Sequence, residues 1–398
     1  MKKNLINVIL FVLAFAVFTS CKKDEYETIQ IVKMISVKEM RALPTGITKA
    51  TPAKRTGKIY IYNDYLFINE PNEGIHIYNN ANPSAPVNVA FLKIPGNVDL
   101  AIHNNILYAD NFIDLLAFDL SDMSNIKQVK RLTDVFNQLY NPGSEKYLYT
   151  YKDTVVKKRT SKDKIYYDAY SSSSSQGGSG QGGSMARFTL VNDYLYTVGL
   201  NNLSLFDVKS ASNPTFLKAI NLGWGVETIF PYENKLFIGT NRGMHIFSAT
   251  DPANPVQLST YSHIFACDPV VVQGKYAYVT LRTGNTCRQA SNQLEVVDIE
   301  DPAKPKQLAV YPMQNPHGLS TSGDNLFLCE GNFGIKSFNI ANKTKIGDNL
   351  LQHLKNIKSF DVIAGPKSLI VTGEDGVYQF NYTNASNLKQ LSIIKAQL

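Results

Sequence analysis

Apolar residues in this chain fall into short runs, and the runs repeat. The stretch from Val226 to Cys267 shows the unit most clearly. Thr228-Ile229-Phe230 opens it and Lys235-Leu236-Phe237-Ile238 follows. A polar turn with Arg242-Gly243 then leads to Met244-His245-Ile246-Phe247, Asp251-Pro252-Ala253-Asn254-Pro255 and Val256-Gln257-Leu258. Short apolar segments separated by Gly, Pro and Asx chemistry predict strands. The second segment recurs as Tyr65-Leu66-Phe67-Ile68, Ile106-Leu107-Tyr108-Ala109, Tyr194-Leu195-Tyr196-Thr197, Tyr276-Ala277-Tyr278-Val279, Asn325-Leu326-Phe327-Leu328 and Ser368-Leu369-Ile370-Val371. Leu66 to Leu107, Leu195 to Leu236 and Leu236 to Ala277 are each 41 residues, and the last two intervals are 49 and 43.

A gap of 88 residues separates Leu107 from Leu195. Tyr147-Leu148-Tyr149 lies 41 residues into it. The spacing predicts a degenerate unit there, with strands near residues 137–140, 146–151, 154–159 and 165–170. The turns support the repeat. Gly74, Gly243, Gly334 and Gly376 sit where a hairpin needs positive φ. Asn82-Pro83-Ser84-Ala85-Pro86 and the copies at 251–255 and 301–305 preset a turn with Pro and cap it with Asx. A four-strand unit of this size cannot bury both faces alone, but radial packing buries them. The fold class expected is all-β, a β-propeller of four-stranded blades. Eight anchors favour eight blades, with seven as the alternative.

Composition fits this picture. Of 398 residues, 44% are apolar and 18% charged, which excludes a disordered chain. There are 22 Tyr and 20 Phe but one Trp, Trp224. The length alone suggests two or three domains, but the repeat makes one domain of many small blades the better account. The net charge is +7, and its basic residues are scattered, so no nucleic-acid partner is expected.

The N-terminus reads as an address. Met1-Lys2-Lys3 precedes an apolar run from Leu5 to Val17, too short to span a bilayer permanently. Phe18-Thr19-Ser20-Cys21 resembles the lipobox of bacterial lipoproteins. That resemblance implies a signal peptide over 1–20, cleavage before Cys21, acylation of its thiol (palmitate-type) and new α-amine, and a membrane partner by lipid anchor. Lys22-Lys23-Asp24-Glu25 is similar to the surface-export signal of lipoproteins from the Bacteroidetes group. The location expected is the outer membrane, at the cell surface, with the periplasmic face as the alternative. Residues 21–57 would be anchor, tether and lead-in, with Ile29 to Met34 able to add a strand. The propeller would cover 58–398. Ser171 to Ser184 reads SSSSSQGGSGQGGS, which predicts a flexible loop over 171–184.

Leu294-Glu295-Val296-Val297-Asp298-Ile299, Leu203-Ser204-Leu205-Phe206-Asp207-Val208 and Leu115-Leu116-Ala117-Phe118-Asp119-Leu120 resemble the motif of the LVIVD-repeat proteins. This propeller family is common among bacterial lipoproteins, and the resemblance covers roughly residues 58 to 398. Copies at 75–80, 244–249, 335–340 and 377–382 lack the acidic residue. The resemblance implies architecture more than activity. One Trp excludes the Trp-marked propellers. Asp153-Thr154-Val155 resembles the short O-glycosylation motif of Bacteroidetes.

The first strand of each unit should line a central channel. Aligned to the Leu anchors, ionisable residues fall at one position: Lys58, Asp99, Arg187, Glu227, Asp268, His317 and Asp361. They would converge on one mouth as a concave, mixed-charge ring. Such a ring could bind a small polar ligand or a hard cation, Ca²⁺ or Mg²⁺. It could equally be an ion-pair network filling the channel. Cys267 and Cys287 emerge on one face and form the best disulfide candidate, with Cys287–Cys329 as rival and three thiols as a further alternative. His263 and His317 lie toward the ring, whereas His76 and His245 fall inside strands. No HExxH, GxSxG or phosphate loop is present, so no catalytic residue is assigned. The function expected is a binding or scaffold module whose channel-mouth loops hold an envelope protein or glycan. The alternative is a metal-assisted hydrolase or lactonase using the mouth carboxylates.

Overall fold

The computed structural model describes residues 26–136, 147–157, 181–185, 187–262, 269–282 and 292–397. Seven antiparallel sheets carry the repeat. They span residues 59–93, 100–132, 188–221, 226–262, 270–312, 319–354 and 359–395, called blades 1 to 7 below. In each, four strands lie side by side in chain order. The first strands are Ile59–Tyr62, Leu100–His103, Phe188–Val191, Val226–Tyr232, Val270–Gln273, Leu319–Ser322 and Ser359–Ala364. From blade 1 round to blade 7, each blade meets the next through these first strands, which places them innermost.

Burial follows from radial stacking. The second and third strands are covered on both faces, so Ile106–Asn111 is buried at every position. Outermost strands such as Val256–Ser262 stay largely open. Every blade also slips its register between third and fourth strands, at Ile77/Tyr78, Gln128/Lys130, Leu205/Phe206, Ile246/Phe247, Val296/Val297, Ser337/Phe338 and Gln379/Phe380. A bulge strengthens the local twist, and the same bulge in each blade gives the blades one shape. The four turn glycines have φ between +96° and +150°. A Cβ on any of them would also strike a fourth-strand carbonyl, Tyr261 O in the case of Gly243.

The Asx-Pro turns join the blades. Asn82, Asp251 and Asp301 each accept a backbone N–H two residues on through their side chains. That closes the turn and leaves the next carbonyl facing the preceding blade. Hydroxyls there donate to it, Tyr196 to Pro252 O and Ser259 to Pro302 O, and the equivalent turns that lack a proline at this position take the same bond: Tyr108 to Ala211 O, Tyr311 to Lys343 O and Ser337 to Ala385 O. Ser392 of blade 7 donates to Pro83 O of blade 1, so the ring closes with the same bond. Each blade is built from one continuous stretch of four strands, and blades 7 and 1 exchange none.

Eight blades are therefore corrected to seven. The anchor Leu148 lies in one long strand, Tyr147–Lys157, whose partner is Tyr26–Ser36 in a separate two-stranded sheet. Described residues 26–35 and 149–157 belong to a compact unit of their own. Alternating Tyr and Leu report a strand but not its partner. The lead-in also differs from a plain tether. The helix Val37–Ala42 begins with a capping box between Ser36 and Glu39, and Gly46–Thr48 adds to the outer edge of blade 1. Arg41 on that helix bonds the buried Asp114 of blade 2 at 2.8 Å, and Arg131 bonds it at 2.7 Å.

Candidate functional site

Each described residue of the expected ring stands at or just before an innermost strand. Lys58 precedes Ile59–Tyr62, Asp99 precedes Leu100–His103, and Arg187 precedes Phe188–Val191. Glu227 and Asp361 lie inside their strands, and His317 sits two residues ahead of Leu319–Ser322. Asp268, Cys21, Cys267, Cys287 and His263 lie outside the described residues. Cys329 is a buried free thiol, which burial pushes well above the usual thiol range.

Lys58, Asp99 and Asp361 come together, each only 1% exposed. Lys58 Nζ lies 3.4 Å from Asp99 Oδ2 and donates to Met185 O at 3.1 Å. Asp99 Oδ1 accepts Leu100 N–H at 2.7 Å, while Oδ2 accepts Arg187 N–H at 2.8 Å and Phe188 N–H at 3.1 Å. Arg187 thus joins through its backbone. Burial pushes Lys58 down to about 8, with the Asp99 carboxylate pulling the other way. Burial pushes Asp361 up to about 7, against a hydrogen bond from Val362 and the charge of Lys58.

Glu227 and His317 instead share Arg282 as an electrostatic neighbour. Burial, and then the Arg282 charge, hold His317 down to about 3. The imidazole is neutral at physiological pH; its ring packs edge-on against Phe360, centroids 5.5 Å apart.

Two features had no signal in the ring alignment. The first is an amide relay behind Asp99. Asn69 Nδ2 donates to Asn97 Oδ1 at 2.7 Å, and Asn97 Nδ2 donates to Asp110 Oδ1 at 2.7 Å. Asp110 Oδ1 also accepts Val98 and Asp99 N–H, and burial raises its carboxyl to about 6. Asp110 falls at the end of a second strand, beyond a search confined to first strands. The second feature is the occupant of the mouth. Gln181–Gly182 pairs antiparallel with Tyr60 and Ile61, extending blade 1 inward. Gly183, Ser184 and Met185 continue as buried chain. Ser184 Oγ donates to Asp361 Oδ1 at 3.4 Å and accepts Leu319 N–H at 2.8 Å.

The flexible loop expected over 171–184 is therefore corrected at its end, because Gln181–Gly182 forms a strand and Gly183 and Ser184 are buried. The open concave ring is corrected as well, because the chain's own strand lies over the three buried charges. Gly183 slips past the Asp361 carboxyl where a side chain could not. Among the described residues, no three His, Cys, Asp or Glu side chains are grouped to hold a metal ion. Asp99 already spends its oxygens on Lys58 and three backbone donors.

The cluster predicts a pH dependence of stability. Asp361 titrates near 3.8 unfolded and about 7 folded. The folded state binds the extra proton in that window, so stability is highest at its acid end and falls as pH rises through 7. Lys58, about 8 folded against 10.5 unfolded, loses a little stability as pH falls from 8 to 6. Asp110 gains a similar amount, and the two offset. Asp361 makes the protein about 1.4 kcal/mol more stable at pH 6 than at pH 8, and His317, held to about 3 against 6.5 unfolded, takes back about 0.8 kcal/mol, which leaves a net gain of about 0.5 kcal/mol. Asp361→Asn should therefore reverse the slope over that interval. Urea unfolding at constant ionic strength checks both, and an unchanged slope in Asp361→Asn would refute the assignment.

No protein-family model matches the chain, and no curated protein matches it in sequence. Solved structures of β-propeller type do match it in fold. A protein from Lactobacillus plantarum aligns with TM-score 0.55 and 11% identity, covering 88% of this chain and 96% of that one. The computationally designed protein Ika8 aligns with TM-score 0.53 and 8% identity, covering 86% and 89%. BamB from Moraxella catarrhalis aligns with TM-score 0.50 and 8% identity, covering 88% and 96%. The chain is thus an all-β propeller of four-stranded blades.

Proposed function

We propose that the protein is a lipid-anchored propeller of the outer membrane or cell surface. It would act as a binding or scaffold module through the loops around its channel mouth. The carrying observation is that loop variation is concentrated on one face. On the far face, six of the seven turns between first and second strands have two residues, and six of the seven between third and fourth strands have seven. On the mouth face, turns between second and third strands range from 2 to 11 residues, and inter-blade connections from 4 to 55. A rigid scaffold with uniform loops on one side and variable loops on the other carries its contacts on the variable side.

The same face exposes aromatic rings. Trp224, in the connection from blade 3 to blade 4, is 61% exposed, and Phe333, in a blade 6 turn, is 43% exposed. The address rests on the likeness of Phe18-Thr19-Ser20-Cys21 to a lipobox. An envelope protein or glycan fits such aromatic, loop-built surfaces.

Capture from solubilised envelope by the propeller tests this reading. Trp224→Ala combined with Phe333→Ala should reduce capture about tenfold, while Lys275→Ala on the far face leaves it unchanged. Equal capture by all three proteins would overturn the assignment of the face.

A further inference from the structure

The strand in the mouth is held as a ligand is held. Its backbone pairs with an edge, as when a peptide augments a sheet. Its glycine meets a carboxyl: a Cβ on Gly183 would overlap Asp361 Oδ2 on one side, as a Cβ on Gly318 would overlap Oδ1 on the other. Its serine bridges Asp361 and the Leu319 N–H. The carbonyl of the next residue accepts the buried Lys58 ammonium. These contacts come from blades 1, 6 and 7, so the receptor is built by the ring and the strand is delivered to it. Asp361 Oδ2 is buried and takes no hydrogen bond, facing the strand. The tetrapeptide is also written twice in the sequence, as Gln176-Gly177-Gly178-Ser179 and Gln181-Gly182-Gly183-Ser184.

We propose that the channel mouth is a peptide-recognition site for an extended Gly-Gly-Ser strand, filled in cis by Gln181–Ser184 and able to take the same strand in trans. The inference rests on the binding-module reading and names a ligand class for the mouth itself. Specificity has a physical source at each position. Only glycine fits against Asp361, because the carboxyl is wedged between two backbones. Only a small hydroxyl then reaches both the carboxyl and the Leu319 amide. The preceding pair, Gln181 and Gly182, binds through backbone pairing to Ile61 and Tyr60, which demands an extended form. A tethered copy works at an effective concentration in the millimolar range for short flexible linkers. A free peptide therefore binds only when the cis copies are disabled.

The probe is a labelled peptide, GQGGSMAR, titrated by fluorescence anisotropy. Wild-type protein should leave it free. The Gly178→Val and Gly183→Val double variant, in which neither cis copy can seat, should bind it saturably. A peptide with valine in place of its second consecutive glycine should bind at least about tenfold more weakly, a difference of about 1.4 kcal/mol. A cooperatively melting double variant that ignores GQGGSMAR at millimolar concentration would overturn the proposal, as would equal binding of the valine peptide. If the double variant does not melt cooperatively, it is refolded with each peptide. Rescue by GQGGSMAR but not by its valine form is expected, and rescue by neither overturns the proposal. Failure here with envelope capture still dependent on Trp224 and Phe333 sinks this inference alone.

Discussion

Asp99→Ala should destabilise the protein by about 3–5 kcal/mol, the range for removing one partner of a buried ion pair. Asp99 is the acceptor on which blades 1, 2 and 3 converge. Its loss strands the Lys58 ammonium and the N–H groups of Leu100, Arg187 and Phe188 at once. A buried donor left unsatisfied costs about 1–3 kcal/mol. Lys58→Met should cost much less, about 1–2 kcal/mol, because Asp99 keeps its three backbone donors and the methionine fills the same space. In the double variant no buried ammonium remains, so its loss should fall short of the sum of the two singles. Urea unfolding of the four proteins measures the coupling. Strict additivity, or a loss below about 1 kcal/mol for Asp99→Ala, would contradict a shared buried pair.

Gln379→Leu should cost about 2–4 kcal/mol, localised at the seam between blade 7 and blade 1. Asn80 Nδ2 donates to Gln379 Oε1 at 3.0 Å, and Gln379 Nε2 donates back to Asn80 Oδ1 at 2.7 Å. Ser368 Oγ adds a bond to Gln379 Oε1 at 2.7 Å. All three side chains are buried. Leucine orphans both ends of the Asn80 amide, each at about 1–3 kcal/mol less what water recovers. No strand crosses this seam among the described residues, so side chains hold it: the amide clasp, the Ser392 bond and the Lys367–Asp64 pair at 2.6 Å act beside a buried apolar cluster of Ile59, Leu66 and Ile68 with Ile363, Ile370 and Val377. Removing both partners, in Asn80→Leu with Gln379→Leu, should restore part of the loss. Hydrogen exchange should show the single variant opening first in blades 7 and 1. Uniform loss across all seven blades would contradict a seam closed by side chains.

The repeat was legible because its physics is local. Leu66, Leu107, Leu195, Leu236, Ala277, Leu326 and Leu369 all sit in buried second strands. Glycine and Asx-Pro signals mark turns whose geometry depends on the residues that compose them. The eighth unit was misread because pairing is not local, and Leu148 looks the same in a blade as in a two-stranded sheet. The candidate site was half legible. Lys58, Asp99 and Asp361 could be placed together by position in the repeat. Glu227 and His317 were aligned correctly but belong with Arg282 instead. The occupant was hidden because Gly183 acts by lacking a side chain, and composition reads such a run as loop. Asp110 escaped because its role is to accept the N–H groups that start the next strand, which no spacing announces.

The central claim is that the mouth is closed by the chain's own Gln-Gly-Gly-Ser strand over a buried Lys58–Asp99–Asp361 cluster. Amide hydrogen exchange on the segment 181–188 of the wild-type protein tests it most directly. Backbone pairing to Tyr60 and Ile61, and the Arg187 and Phe188 bonds to Asp99, should protect these amides as strongly as those of the innermost strands. Exchange at the rate of an unstructured Ser/Gly chain would contradict the claim and return the mouth to an open ring.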